Sequence, residues 1–201
     1  MEARHAEIVI VPANRASWPD LEAIVGGRGS AHRCQCQRYK LRPGEAFAKF
    51  PVSERADRWR RQTNCDVATA EQTSGLVAYL DGEPVGWCAI EPRSNYPSLI
   101  RSGRIPWAGR NEDRDDPSVW AVTCVFIRAG RRRRGIGTAL VGAAVEFAAQ
   151  RGARAVEGYP ITTTNVIDEE LHVGTVGMFA DAGLVEVSRP TLRRVVMRQD
   201  F

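Results

Sequence analysis

The sequence predicts one α/β domain built on a mixed, largely antiparallel sheet. Three observations carry that expectation. A length of 201 residues suits a single sizeable core. Two apolar runs joined by Asp81-Gly82-Glu83-Pro84 read as a β-hairpin. A strand-like run over residues 118–127 then leads, through a short basic turn, into a long helical pattern over 135–151. Hydrophobic residues at 43% and charged residues at 26% are the balance of an ordinary soluble globular protein.

The elements follow in order. Residues 7–12 read as a first strand ended by Pro12, and Ser17-Trp18-Pro19-Asp20 caps a helix through about Val25, broken by Gly26-Gly27 and Gly29. Residues 31–43 have no clear period, and Ser53 opens a second helix through Gln62. Residues 75–80 and 85–90 form the hairpin. Residues 91–117 make a long polar loop with a helical turn near 96–101; a loop of that length is more often functional than idle. In the long helix Ile136, Leu140, Ala143, Ala144 and Phe147 recur at helical spacing until Gly152. Residues 153–159 are a strand closed by Pro160, 171–182 a helix stopped by Gly183, and 184–188 and 192–197 two final strands. The order is β-α-α-β-β-β-α-β-α-β-β.

Bulk chemistry narrows the classes. No apolar run reaches membrane-span length, and the charged N-terminus shows no secretory signal. Five cysteines, an odd number, do not resemble a disulfide framework, so a cytoplasmic setting is expected. The net charge of +4 and pI near 9.0 come almost wholly from arginine, Lys40 and Lys49 being the only lysines. Such a balance fits an anionic cofactor as well as nucleic acid.

The chemistry is concentrated in Val125-Phe126-Ile127 and the following Arg131-Arg132-Arg133-Arg134-Gly135-Ile136-Gly137-Thr138. The first N–H groups of a helix have no internal partner, and the helix dipole places partial positive charge there. Gly135 and Gly137 remove side chains, so that a phosphate can approach the main chain, and the arginines add charge-assisted hydrogen bonds. Arg132-Arg133-Arg134-Gly135-Ile136-Gly137 resembles the acetyl-coenzyme A signature of the GNAT superfamily of N-acetyltransferases, Arg/Gln-x-x-Gly-x-Gly/Ala. The resemblance extends back to residues 118–127 as the family's fourth strand and forward to residues 178–184, and it covers most of the chain.

The resemblance implies a single domain over 1–201, with an acceptor side at about 13–73, a cofactor-binding core at about 75–201, helices on both faces, and fourth and fifth strands that splay apart. It implies acetyl-CoA as co-substrate, held by Val125, Phe126, Ile127, Arg132, Arg133, Arg134, Gly135, Ile136, Gly137, Thr138 and Phe179, with an amide near Val125 as oxyanion donor. Phe179 stands where many relatives carry a tyrosine that protonates the departing thiolate, and about Ala121 is the position of a glutamate in some of them. The acceptor is expected to be a small-molecule or peptide amine, with transfer direct in a ternary complex. An amine of pKa about 10 needs a base; Glu157 is the first candidate and Glu91 the second, and either is alternatively a solvated or paired carboxylate.

Other readings remain open. The arginine run is a cofactor loop, a solvated cluster or a nucleic-acid patch, and its place before Gly-Ile-Gly favours the first. Cys34-Gln35-Cys36 lacks a second pair at zinc spacing, so no metal is expected and the thiols read as lining the acceptor side. Cys124 is a small buried residue or an acetyl-accepting thiol, the former being favoured. His172 contacts cofactor or substrate, or is an exposed helix-start histidine. A coenzyme A-binding regulatory module without turnover is the alternative to an enzyme. No nucleic-acid or membrane partner is expected, and the chain is expected to be a monomer or homodimer.

Overall fold

The computed structural model describes residues 6–101, 105–163, 165–167 and 169–201. Glu2 and Arg4, and residues 102–104 of the expected long loop, lie outside them. Seven strands form one sheet in the order β1-β2-β3-β4-β5-β7-β6. They are β1 (Ile8–Pro12), β2 (Gly75–Leu80), β3 (Glu83–Pro92), β4 (Val119–Ile127), β5 (Ala155–Gly158), β6 (Val185–Thr191) and β7 (Arg194–Asp200). Every neighbouring pair is antiparallel except β4 and β5. A parallel pair needs a long crossover, and the helix predicted from the Ile136-to-Phe147 spacing supplies it as α5 (Ile136–Ala149).

Helices cover both faces. Below the sheet α5 buries Ile136, Leu140, Val141, Ala144 and Phe147 against Leu76, Cys88, Ile90, Val122 and Val156. Above it lie α1 (Trp18–Val25), α2 (Gly29–Cys34) and α3 (Val52–Thr63). Ser17 closes a capping box with Asp20 at the start of α1. Trp59 of α3 stands edge-on to Trp87 of β3 at 5.1 Å between ring centroids and to Trp18 at 5.6 Å. Both Trp59 and Trp87 are buried, and removing either ring would cost about 3–5 kcal/mol.

Two expectations needed correction. The start of the stretch without a period belongs to α2, which begins at Gly29, read as a breaker, and has no buried residue and hence no apolar face to reveal it. The helix expected over 171–182 is two pieces, a 3-10 turn at Leu171–Val173 and α6 (Val176–Asp181). Gly174 separates them at φ 76°, a left-handed conformation that breaks the helix. The helical turn in the long loop is α4 (Pro97–Arg101). Among the described residues no helix is long and apolar enough to cross a membrane.

Candidate active site

The site begins where two strands part. β4 pairs with β5 only from Val119↔Ala155 to Val122↔Gly158, so Thr123 to Ile127 run on without β5 beside them. The opposite ladder is irregular at the same level: Ala89 pairs with Cys124 and Ile90 with Val122, leaving Thr123 as a bulge. Bulges turn a strand and re-aim its groups. A groove of about 840 Å³ opens beside this free edge.

Val125, Phe126 and Ile127 form one wall of the groove, and Arg131, Arg132, Arg133, Gly135, Ile136, Gly137 and Thr138 form its basic end. Gly135 is the N-cap of α5 at φ 76°, and a Cβ there would meet nothing within 4 Å, so the helix N-terminus is open. Arg133 is also left-handed, at φ 60°. Gly137 has a second reason to be glycine: a Cβ would stand 2.8 Å from the Met178 methyl, which packs over the first turn of α5. Arg131 is committed sideways, bonding Glu83 through Nε at 2.9 Å beside Arg128. Arg134 is exposed and not on the groove wall.

The sequence matches the acetyltransferase (GNAT) family over residues 39–172, about two-thirds of the chain. The chain belongs to the GNAT family. Solved structures agree on the fold. A GNAT-family acetyltransferase from Streptococcus pneumoniae is 14% identical, with a TM-score of 0.53 over 97% of this chain and 100% of that one. The PaiA N-acetyltransferase of Thermoplasma acidophilum, in complex with coenzyme A, is 13% identical with a TM-score of 0.51 over 97% and 99%. The ribosomal-protein-alanine N-acetyltransferase of Brucella melitensis is 17% identical with a TM-score of 0.52 over 96% and 99%. No curated protein matches the sequence.

In this GNAT protein the two candidate carboxylates occupy opposite environments. Glu157 is fully buried and accepts hydrogen bonds from Arg93 (3.2 Å), Arg110 (3.2 Å), Arg198 (2.8 Å) and the Tyr159 hydroxyl (3.1 Å). Burial pushes its pKa up, but Arg110, Arg93 and Arg198 outweigh burial and hold it below the ordinary carboxylate value. Glu157 thereby ties Arg93 and Arg110 of the long loop to the sheet. Glu91, at the end of β3, pairs with Lys40 and accepts from Asn95 Nδ2 at 3.1 Å. Burial raises its pKa despite Lys40 and Asn95. Neither carboxylate lines the groove.

Phe179 is fully buried, its ring lying over Gly158, where a Cβ would come within 2.0 Å of it. The residue of α6 on the groove wall is its neighbour Met178. Tyr159 is buried too, and its hydroxyl is bound to Glu157. Neither ring therefore reaches the groove.

A smaller cavity of about 50 Å³ adjoins the groove, and Val25, Phe126, Glu169 and His172 border both. Cys34, Cys36, Cys124, Trp59 and Trp87 also line it, with Arg38, Ser30 and Ala31. His172 Nδ1 lies 2.6 Å from the Glu169 carbonyl, which assigns the proton to Nδ1. Nε2 is left with a lone pair and no partner among the described residues. Burial lowers the His172 pKa to about 4, so the ring is neutral at physiological pH.

Sequence reasoning missed the third wall of the groove, residues 23–31. The signal was present in Gly26, Gly27 and Gly29, read only as a helix stop. It missed as well that Lys40 would be the partner of Glu91, a pairing across 51 residues that no local pattern encodes.

Proposed function

We propose that the chain moves an acetyl group from acetyl-CoA to a small-molecule or peptide amine, by direct attack within a ternary complex. The observation that carries this reading is the groove itself: a free β4 edge running into an open, arginine-flanked helix N-terminus. A Cβ-free, positively polarised helix start suits a pyrophosphate, and an unpaired strand edge suits an amide-bearing arm. The residues present thus fit coenzyme A. The amides from Arg133 to Thr138 would hold the pyrophosphate, Val125–Ile127 the pantetheine arm, and the Val125 amide the carbonyl oxygen. Bound there, acetyl-CoA supplies an activated thioester.

The chain's own part is to hold the amine and take its proton. The cavity beside the groove is the acceptor side, with His172 Nε2 placed to accept an N–H at the junction. Glu91 is the base: its raised pKa suits proton uptake better than the arginine-caged Glu157, which stays ionised and weakly basic. Its charge and that of Lys40 both act on Cys36 in the cavity wall, so the carboxylate lies near enough for its field to reach the acceptor side. The departing sulfur needs no dedicated acid, since a thiol of pKa about 8.5 leaves readily near neutrality.

Incubation with acetyl-CoA and a panel of amines and peptide N-termini, read by mass spectrometry, tests this. An acetylated amine with free coenzyme A is expected. Tight binding with no turnover on any acceptor would favour a regulatory module, the reading that the phenol-free Phe179 position suggests.

A further inference from the structure

The thiols of the acceptor cavity are unusual. Cys34, Cys36 and Cys124 are all free and partly exposed, and all line the same small cavity, whereas Cys65 and Cys88 are buried elsewhere. The Cys36 sulfur accepts a hydrogen bond from Trp87 Nε1 at 3.2 Å and another from the Cys124 thiol. Its backbone is left-handed at φ 52°, directly after Gln35 at φ 48°. Two consecutive non-glycine residues in that region are costly, and such strain persists only where the surroundings impose it. Here buried Gln37 braces the turn, donating to the Gln35 carbonyl at 3.2 Å and to Gln62 Oε1 at 2.8 Å. The result is a Cys36 sulfur set over the sheet face that Trp87 and Cys124 share, two positions apart in the β3–β4 ladder, with the Trp87 donor aimed at it.

The two sulfurs are also unequal. The Cys124 hydrogen bond, then the Trp87 N–H and the Lys40 charge, bring Cys36 below the usual thiol range against the effect of burial. The same hydrogen bond, then burial, holds Cys124 well above it. Burial also raises Cys34. A thiol made easier to ionise beside one made harder to ionise is the arrangement of a peroxide-reactive cysteine with its resolving partner. No three His, Cys, Asp or Glu side chains among the described residues are grouped to hold a metal.

We propose that Cys36 and Cys124 form a hydroperoxide-oxidised pair, closing to a disulfide in the wall of the acceptor cavity. In the first step the Cys36 sulfur attacks one peroxide oxygen; the O–O bond breaks, the other oxygen leaves as hydroxide, and Cys36 becomes a sulfenic acid. The Cys124 sulfur then attacks the Cys36 sulfur, the S–O bond breaks, and hydroxide leaves with the Cys124 proton as water. Two electrons pass from the thiols to the peroxide. The bond ties the strained turn at Cys36 to β4 across the wall of the acceptor cavity, beside the Phe126 that borders both cavity and groove, and so reshapes the space open to the acceptor. This consequence rests on the proposed acetyl transfer; the bond itself does not.

The test treats the intact wild-type chain with hydrogen peroxide, blocks free thiols with iodoacetamide, and maps peptides without reduction. A Cys36–Cys124 cross-linked peptide is expected, lost on dithiothreitol treatment. In Cys124→Ser the Cys36 sulfenic acid should persist and be trapped by dimedone. A dominant Cys34–Cys36 link, or Cys36 and Cys124 alkylated as fully as before oxidation, would overturn the proposal. Transfer should fall in proportion to the cross-link and return on reduction; a fully cross-linked chain with undiminished transfer would overturn the blocking role. A chain that cross-links but transfers nothing even when reduced counts against the transferase reading, not against the bond.

Discussion

Glu91 lies directly opposite Ala121 in the β3–β4 ladder. Directly paired residues present their side chains on one face of a sheet, about 5 Å apart. Ala121 is where some family members place a glutamate, so here a carboxylate reaches the same neighbourhood from the adjacent strand. Glu157 flanks Ala121 from the other side, across the β4–β5 ladder. The two carboxylates are thus equivalent by register and are separated only by their partners.

Replacing Glu91 with Gln should lower turnover by about 10²-fold or more at neutral pH, with part of the loss recovered as pH rises and the amine deprotonates unaided. Lys40 holds the Glu91 pKa down against burial. Lys40→Met should therefore raise that pKa and move the acid limb of the pH–rate profile to higher pH. A limb that stays in place, measured as kcat against pH, removes Glu91 from the base role.

Glu157→Gln should act on stability. Removing the carboxylate that buried Arg93 and Arg198 and half-buried Arg110 share costs up to about 3–5 kcal/mol, less what their remaining partner Glu112 offsets, and thermal unfolding would register it. The native pKa of Glu157 is lowered, so its contribution is present above the unfolded value of about 4.3 and is lost as pH falls through the native one. Wild type should consequently lose more stability on acidification than Glu157→Gln does. A variant of wild-type melting temperature with an altered pH–rate profile would reinstate Glu157 as the base.

The central strands were legible as apolar runs because helices bury them on both faces, and α5 because its apolar residues recur over fourteen positions. The basic end of the groove was legible for a related reason: strand, basic turn and helix start are contiguous in sequence. Both carboxylates were named from the sequence, with Glu157 ahead of Glu91, but not the side chains that surround them. What distinguishes Glu91 from Glu157 is the company of Lys40, Arg93, Arg110 and Arg198, brought together from four separate segments. Phe179 was expected at the cofactor because of its place in the motif. It is turned instead toward Gly158, a contact set by the packing of α6 on β5.

That contact gives a prediction for Phe179→Tyr. The added hydroxyl would enter a filled core rather than the groove, at a cost of about 1–3 kcal/mol. The melting temperature should fall and the rate should not rise. A rate gain would show that the phenol reaches the sulfur and that the site had lacked its acid.

Direct transfer predicts that Cys124→Ala keeps most of the activity, with intersecting initial-rate lines when both substrates are varied. Parallel lines and an acetylated Cys124 or Cys36 peptide would show a covalent relay instead.

Calorimetric titration of acetyl-CoA into wild type, Gly137→Ala and Gly137→Asp tests the groove most directly. The alanine asks only for a shift of the flexible Met178 tip, whereas the aspartate sets a negative charge at the start of α5. The account predicts micromolar binding by wild type, a modest loss in Gly137→Ala and no detectable heat in a folded Gly137→Asp. Equal affinity in all three would contradict it.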